Sequence, residues 1–494
     1  MRITRLAAPA VALALAAGVS ACSVPASDDE TTLRIGASAA SVSFDPGSAS
    51  YADLTVQAVY DSLFGTPGGI GMPGDGGVEP SLATEWSFSD DRTVLTIHLR
   101  DDVTFVDDTH FDAEVLKANM DDWMARAWLP GVDEIVVTGD YTVEVHQSKA
   151  SVLILDYVGV RPVLSAAALE NREDLATEPV GSGPYLVDDY VTDASYSFVR
   201  NPDYWNAEAF PYDRIEIILL PDVTAQVNAL KSGQIDVASI DAATAPDVEA
   251  AGFSTTTANS ALWAGLYFGD RAGAISPPIG NVKVRQAISM AMDRVGINDA
   301  VEGGYGDPSN QQGIPGQDGF YDPGLADLYA YDLEGAKALL AEAGYPDGFD
   351  IDIPVTPGSP YMPYYRQAFE DLGIRVNWVD IPADQWLTEV ASGKYAVLPF
   401  VNYTIGLPQV IERDDFWNPW HYTDAETERL LTILNSGTDE EALDALTAIN
   451  DKITNEAWFA ILSHPPTVVA SIEAVDVKLN VLGQLWLLNI APSE

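Results

Sequence analysis

The chain predicts an α/β fold built in more than one lobe. Three observations lead there. A chain of 494 residues is too long for one hydrophobic core, so about two to four domains are expected. Strand, helix and strand follow one another within a short span at Arg214 to Val237 and again at Phe349 to Val379, and each is a βαβ unit. Apolar strands at Ala258–Phe268 and Ile461–Pro466 lie between these regions and the rest of the chain, and are read as the outward and return crossings between two lobes.

Met1 to Cys22 reads as a targeting segment. Arg2 and Arg5 precede an apolar run from Leu6 to Val19, too short and too alanine-rich for a comfortable membrane span. Ser23 to Thr32 is polar and reads as a flexible tether. Leu33–Gly36 predicts a strand, and Asp53–Leu63 a helix with Leu54, Ala58 and Leu63 inward. Gly65–Gly77, rich in Gly and Pro, reads as a surface loop.

The stretch from Glu79 to Met120 carries the clearest local signals. Asp90, Asp91 and Arg92 form a polar turn. Leu95, Ile97 and Leu99 alternate with Val94, Thr96, His98 and Arg100, the period of a half-buried strand. Asp107–Asp108 makes a second turn, and Asp112 caps a helix whose Phe111, Val115, Leu116, Trp123 and Met124 share a side. Ile135–Thr138 and Tyr141–His146 form a hairpin around Gly139–Asp140. Leu153–Pro162 is apolar and buried, and Ala166–Leu175 reads as a helix.

Gly181 and Gly183 allow positive φ and close backbone approach, and Pro184 leads into a strand. No Lys-Ser/Thr pair follows them and no helix opens there, so a phosphate loop is rejected. In the first βαβ unit Val223, Val227 and Leu230 share a helix face, which Lys231-Ser232-Gly233 ends. Val284, Ala287, Ile288, Ala291 and Met292 mark a core helix. Further helices are read at Leu333–Ala343, Tyr364–Leu372, Asp384–Val390, Glu426–Leu434 and Leu443–Asn455, with a buried strand at Tyr395–Asn402.

The net charge is −49. A surface this acidic repels phosphate backbones, which excludes nucleic-acid binding. The acidic residues are spread along the chain, the pattern of a solvating surface. His98, His110, His146, His421 and His464 form no metal motif, so no metal and no cofactor is expected. There is no Walker loop and no nucleophile elbow, and Cys22 is the only cysteine. The chain is therefore read as a non-enzyme. A secreted glycosidase, stacking sugars on some of its eleven Trp, is the enzymatic alternative.

Several blocks resemble one family. Pro80, Ser81, Leu82, Ala83, Trp86, Ser89, Asp90, Asp91, Leu99, Arg100, Phe105, Phe111, Ala113 and Glu114 match the signature region of the extracellular solute-binding proteins of bacterial ABC importers, family 5, the oligopeptide-, dipeptide- and nickel-binding class. Pro179–Tyr185, Arg200–Trp205, the Leu220–Val237 pattern and Val284–Arg294 resemble further blocks of that family. The resemblance implies a two-lobed periplasmic-binding-protein type II fold with an extra subdomain inserted in lobe I. It places lobe I at 33–60, 179–260 and 465–494, its inserted subdomain at 61–178, and lobe II at 261–464, after a signal peptide at 1–21 and a tether at 22–32. Val19-Ser20-Ala21-Cys22 resembles a lipoprotein processing site, which implies lipidation at Cys22 and a monomer held on the extracytoplasmic face of the membrane, in a periplasmic-type space.

The family implies capture of a small solute, a peptide or peptide-like molecule, between the lobes and its delivery to ABC permease subunits served by a separate ATPase. By position, Ser43, Phe44, Trp263, Asn402, Tyr403, Trp417 and His464 are the candidates to line the cleft. Peptide-binding members place an Asp for the ligand ammonium where this chain has Thr404–Ile405; Glu412, Asp414 and Asp415 follow and are the candidates to take its place. That departure keeps an oligosaccharide or another non-peptide solute open. A sensor lipoprotein without transport is the remaining alternative.

Overall fold

A computed structural model of the chain describes residues 31–39, 43–47, 53–65, 78–316, 319–356, 358–382, 385–403, 418–480 and 482–493; for 402 and 403 it describes the backbone alone. The expected targeting segment and tether before residue 31, and the surface loop over 66–77, lie outside the described residues.

The strand Thr32–Ala37 sits at the centre of a seven-stranded sheet. It runs parallel to Arg214–Leu219 on one side and Val237–Ile240 on the other. These two strands are the ends of the first βαβ unit, so its helix, Val223–Lys231, crosses over the central strand. Asp222 caps that helix by accepting from the Ala225 N–H at 2.9 Å. Its most buried residues are Gln226, Ala229 and Leu230. The polar Gln226 is tolerated inside because its amide donates to the Leu220 carbonyl at 2.9 Å.

The Glu79–Met120 stretch supplies two of the four strands of a separate antiparallel sheet, in the order Ala83–Phe88, Val94–Leu99, Thr142–Gln147, Val132–Gly139. Leu95 and Ile97 are fully buried beneath the helix Ala113–Ala125, and Asp112 caps that helix on the Val115 N–H at 2.9 Å.

A third sheet has four strands: Asp307–Pro308, Phe459–His464, Leu262–Phe268 and Val397–Tyr403. Its two faces carry different cores. Ala264, Leu266, Phe268, Ala460 and Leu462 pack with the helices Val282–Met290, Leu333–Glu342 and Met362–Asp371. Trp263, Tyr267, Phe459 and Ile461 pack with the helices Ala425–Ser436 and Asp439–Asn455. The alternation follows from the two-residue period of a strand. The second βαβ unit appears as the parallel pair Asp350–Val355 and Arg375–Asp380, joined through Met362–Asp371.

The seven-stranded and four-stranded sheets are joined by two short passages. Ser254–Asn259 ends in the first sheet and Leu262–Phe268 begins in the other; Phe459–His464 and Pro466–Ser471 make the return. The two passages are bonded to each other: the Ser260 N–H and Oγ–H both donate to the Pro465 carbonyl, at 3.1 and 2.6 Å.

Some elements are shorter than the periodicity predicts. The Asp53–Leu63 helix spans only Leu54–Val59, because Tyr60 turns to extended backbone and Asp61 is drawn into a polar cluster. Ala166–Leu175 breaks into the helix Ala166–Glu170 and a 3-10 turn at Asp174–Ala176, since the Asn171 amide folds back onto the Ala167 carbonyl. Gly181 and Gly183 are not in the positive-φ region. They serve close approach: a Cβ on Gly181 would stand 2.0 Å from the Val59 oxygen, and one on Gly183 2.4 Å from the Val59 carbonyl carbon.

Candidate functional site

Three of the family-like blocks meet at Asp61, through Arg100, Ser182 and the Tyr204–Trp205 pair. Ser182 donates to its Oδ2 at 2.9 Å, the Trp205 indole N–H to the same oxygen at 3.2 Å, and the Tyr204 hydroxyl to Oδ1 at 2.9 Å. Burial pushes the Asp61 carboxyl up to about 6, against these three donors and the nearby Arg100 guanidinium. Arg100 itself lies over the Trp205 ring at 3.5 Å. A void of about 70 Å³ lies beside Asp61, Trp205 and Trp486, room for a water or two rather than a solute. This cluster is scaffold.

The larger cavity lies elsewhere. It holds about 550 Å³, within the range of small-molecule sites. Asp91, Thr93, Lys149 and Ala150 form one wall, from the chain that carries the antiparallel sheet. Asn418, Tyr422, Glu428, Asn435 and Trp458 form the other, from the helices and loop covering the four-stranded sheet. Arg271 stiffens this second wall. Its guanidinium lies 4.1 Å from the Trp458 ring centre and 4.5 Å from that of Tyr422, and it donates to the Phe268 carbonyl. Asn418 fixes the chain at Tyr422 by bonding both its carbonyl and its N–H, at 2.9 and 3.2 Å.

Contacts among the described residues close the two walls on each other. The Val152 N–H donates to Asn435 Oδ1 at 2.9 Å. Arg92 and Asp439 form an ion pair at 3.0 Å. Val152 and Leu153 are buried among Trp263, Leu430, Leu431, Leu434 and Phe459. No sequence signal announces these contacts, because the partners are hundreds of residues apart.

The candidate cleft residues fare differently. Phe44 is buried in the core of the seven-stranded sheet, edge-on to Tyr190, Tyr196 and Phe198 at 5.6–6.3 Å. Ser43 closes the turn before it, accepting from the Asp45 N–H at 3.0 Å. Arg172 anchors that turn through Asp45 at 2.9 Å and also holds Asp122 at 2.7 Å. Trp263 is 2 % exposed and packs at 5.1 Å against Phe459 under the helix pair. Trp263 thus packs on the inward face of its strand, and Phe44, which belongs to no helix or strand, packs into the core of the seven-stranded sheet.

His464 stands at the end of a crossing strand, fully buried, with Nδ1 3.0 Å from the Leu262 carbonyl oxygen. Nδ1 therefore carries the proton, and among the described residues Nε2 has no hydrogen-bond partner. Burial pushes the imidazole down to about 4. Its neighbour Ser463 and Tyr361 both donate to Glu302 Oε1, while burial pushes the Glu302 carboxyl upward. Trp263 and His464 thus come together near the crossing, and Ser43 and Phe44 belong to the opposite side. The side chains of Asn402 and Tyr403, and all of Trp417, Glu412, Asp414, Asp415 and Cys22, lie outside the described residues.

Comparison with known proteins adds the family. Residues 77–413 match the model of the bacterial extracellular solute-binding proteins, family 5 Middle. Heme-binding protein A of Haemophilus influenzae is 30% identical over 315 residues, 57% of this chain and 56% of that protein. Di/tripeptide-binding protein 1 of Pseudomonas aeruginosa is 26% identical over 359 residues, 64% of each chain. The matched region thus spans less than two thirds of the length of these two relatives. Among solved structures, CtaP from Listeria monocytogenes, an ABC transporter substrate-binding protein, superposes with a TM-score of 0.78 at 21% identity, covering 94% of this chain and all of that one. The dipeptide-binding protein of Pseudoalteromonas sp. SM9913, solved with Met-Leu, gives 0.74 at 22% identity with the same 94% coverage. These likenesses give the two-lobed type II fold of periplasmic binding proteins. By the family model and the fold together, the chain belongs to the bacterial extracellular solute-binding proteins of family 5.

Proposed function

We propose that the protein captures a short peptide or peptide-like solute between its two lobes and hands it to the permease of an ABC importer. The observation that carries this reading is the cavity of about 550 Å³ with one wall from residues 91–150 and the other from residues 418–458, stretches that this proposal assigns to opposite lobes. A solute there touches both lobes, so its binding energy favours the closed form. Lobe I takes 33–60, 179–260 and 465–494, with 61–178 inserted, and lobe II takes 261–464. Two relatives named for di- and tripeptides support the solute class. In this proposal Cys22 carries the lipid that holds the protein at the outer face of the membrane.

An oligosaccharide is the second reading. The hydroxyls of Thr93, Thr427 and Ser436 beside the rings of Tyr422 and Trp458 favour it. A thermal-shift screen of the protein against short peptides, oligosaccharides and metal chelates separates the two. A solute at a hundred times its Kd stabilises by about 2.7 kcal/mol, a rise of a few degrees. Peptides raising the Tm support the first reading, and a rise with sugars alone replaces it with the second. A screen with no response in any class overturns both.

A further inference from the structure

We propose that Val152 and Leu153, at the end of the loop at residues 149–153, are a latch that holds the lobes together before solute arrives and so sets solute affinity without themselves touching solute. The inference rests on the two-lobed capture reading above. Its starting point is where the loop's apolar side chains go. Val152 and Leu153 are 6% and 3% exposed, and the cluster that buries them is otherwise built from residues at 263–461. Neither lines the cavity; Lys149 and Ala150, a few residues earlier, do. The loop therefore roofs the cavity with one end and docks with the other.

The docking is specific as well as apolar. Asn435 is 7% exposed, and its Nδ2 donates to the Leu431 carbonyl one helical turn back. That bond fixes the amide so that Oδ1 faces the incoming Val152 N–H. Arg92, beside the cavity wall, reaches Asp439 at the start of the neighbouring helix Asp439–Asn455. A negative side chain is favoured there by the helix dipole, and the arginine meets it.

A latch answers a physical need of this chain. The net charge is −49, and both lobes carry many more acidic than basic side chains. Closure brings like charges together, which favours the open form. Buried Val152 and Leu153, one directed hydrogen bond and one opposite-charge pair offset that repulsion. Because the apparent affinity scales with the fraction of protein in the binding-competent form, weakening the latch weakens every solute by one common factor.

The test uses small-angle scattering of the unliganded full-length protein and of Val152→Asp, followed by titration of both with the peptides that respond in the screen. Val152→Asp places a carboxylate into the apolar seat only when the lobes close, so its far-ultraviolet circular dichroism stays that of the parent. Expected are a larger radius of gyration for the variant and a Kd raised about tenfold by the same factor for each peptide. Equal radii, or a Kd change that differs from peptide to peptide, overturn the latch. If Val152→Asp does not fold, Asp439→Lys, at an exposed position, carries the test. It sets a cation against Arg92, and the expansion it causes is largest at low salt. The scattering readout needs no solute: an expanded variant with no responding peptide leaves the latch standing and removes the peptide reading, whereas tight peptides with equal radii do the reverse.

Discussion

Replacing His464 by glutamine removes a buried titration whose size follows from its surroundings. The imidazole is fully enclosed, and the cost of charging it there pushes it from 6.5 down to about 4. A native value below the unfolded one means that the unfolded chain binds the proton more readily. Stability from this residue is therefore complete above the unfolded value of 6.5 and is lost as the pH falls toward 4. The loss between pH 7 and pH 4 amounts to about 3 kcal/mol, roughly two thirds of it above pH 5. Asp61 works in the opposite direction. Its carboxyl is raised to about 6, so its contribution favours folding at low pH and declines as the pH rises through that value. The parent protein thus shows little net slope from these two groups, and only a difference curve separates them. Glutamine can replace the hydrogen bond to the Leu262 carbonyl, so His464→Gln costs about 1 kcal/mol at pH 7. At pH 4 the variant exceeds the parent by about 2 kcal/mol. Urea unfolding followed by tryptophan fluorescence from pH 7 to pH 4 measures both. Parallel curves for the two proteins would refute the argument, since they would mean that His464 titrates alike in the folded and unfolded chains.

Other expectations follow from single contacts. Asp61→Asn presents an NH₂ group to the Ser182 and Trp205 donors or to Tyr204, and should cost about 2–4 kcal/mol in urea unfolding at pH 7. Gly181→Ala sets a methyl 2.0 Å from the Val59 oxygen, an overlap that backbone cannot yield to; a loss of about 3 kcal/mol or more is expected, read as a drop in Tm. Raising sodium chloride from about 20 mM to 1 M screens the self-repulsion of a chain at −49 and should raise the Tm, where a typical balanced surface would respond little.

What the sequence made legible was whatever is written in local period and turn chemistry. Leu95, Ile97 and Leu99 gave their strand because a half-buried strand must alternate, and Asp112 gave the helix start because its carboxylate serves the Val115 N–H only three residues away. Both βαβ units and both crossings follow from the same logic. The site was much less legible. Position along the chain suggests Trp263 and Phe44 for the cleft, and it does not reveal that both side chains are buried in hydrophobic clusters. Asn435 and Val152 passed unnoticed, since an asparagine late in a helix and a valine in an apolar run look ordinary until the fold sets them 2.9 Å apart. Asp61 was equally silent: its three donors come from sequence blocks more than a hundred residues downstream.

Isothermal titration of the protein with a pool-derived tripeptide, paired with scattering on the same sample, bears on solute capture between the lobes. One bound peptide per chain, with a negative heat-capacity change and a radius of gyration no larger than that of the unliganded protein, is the predicted result. Absence of heat across the peptide pool, or several weak sites that leave Asn435→Ala and Trp458→Ala binding as the parent does, would contradict it.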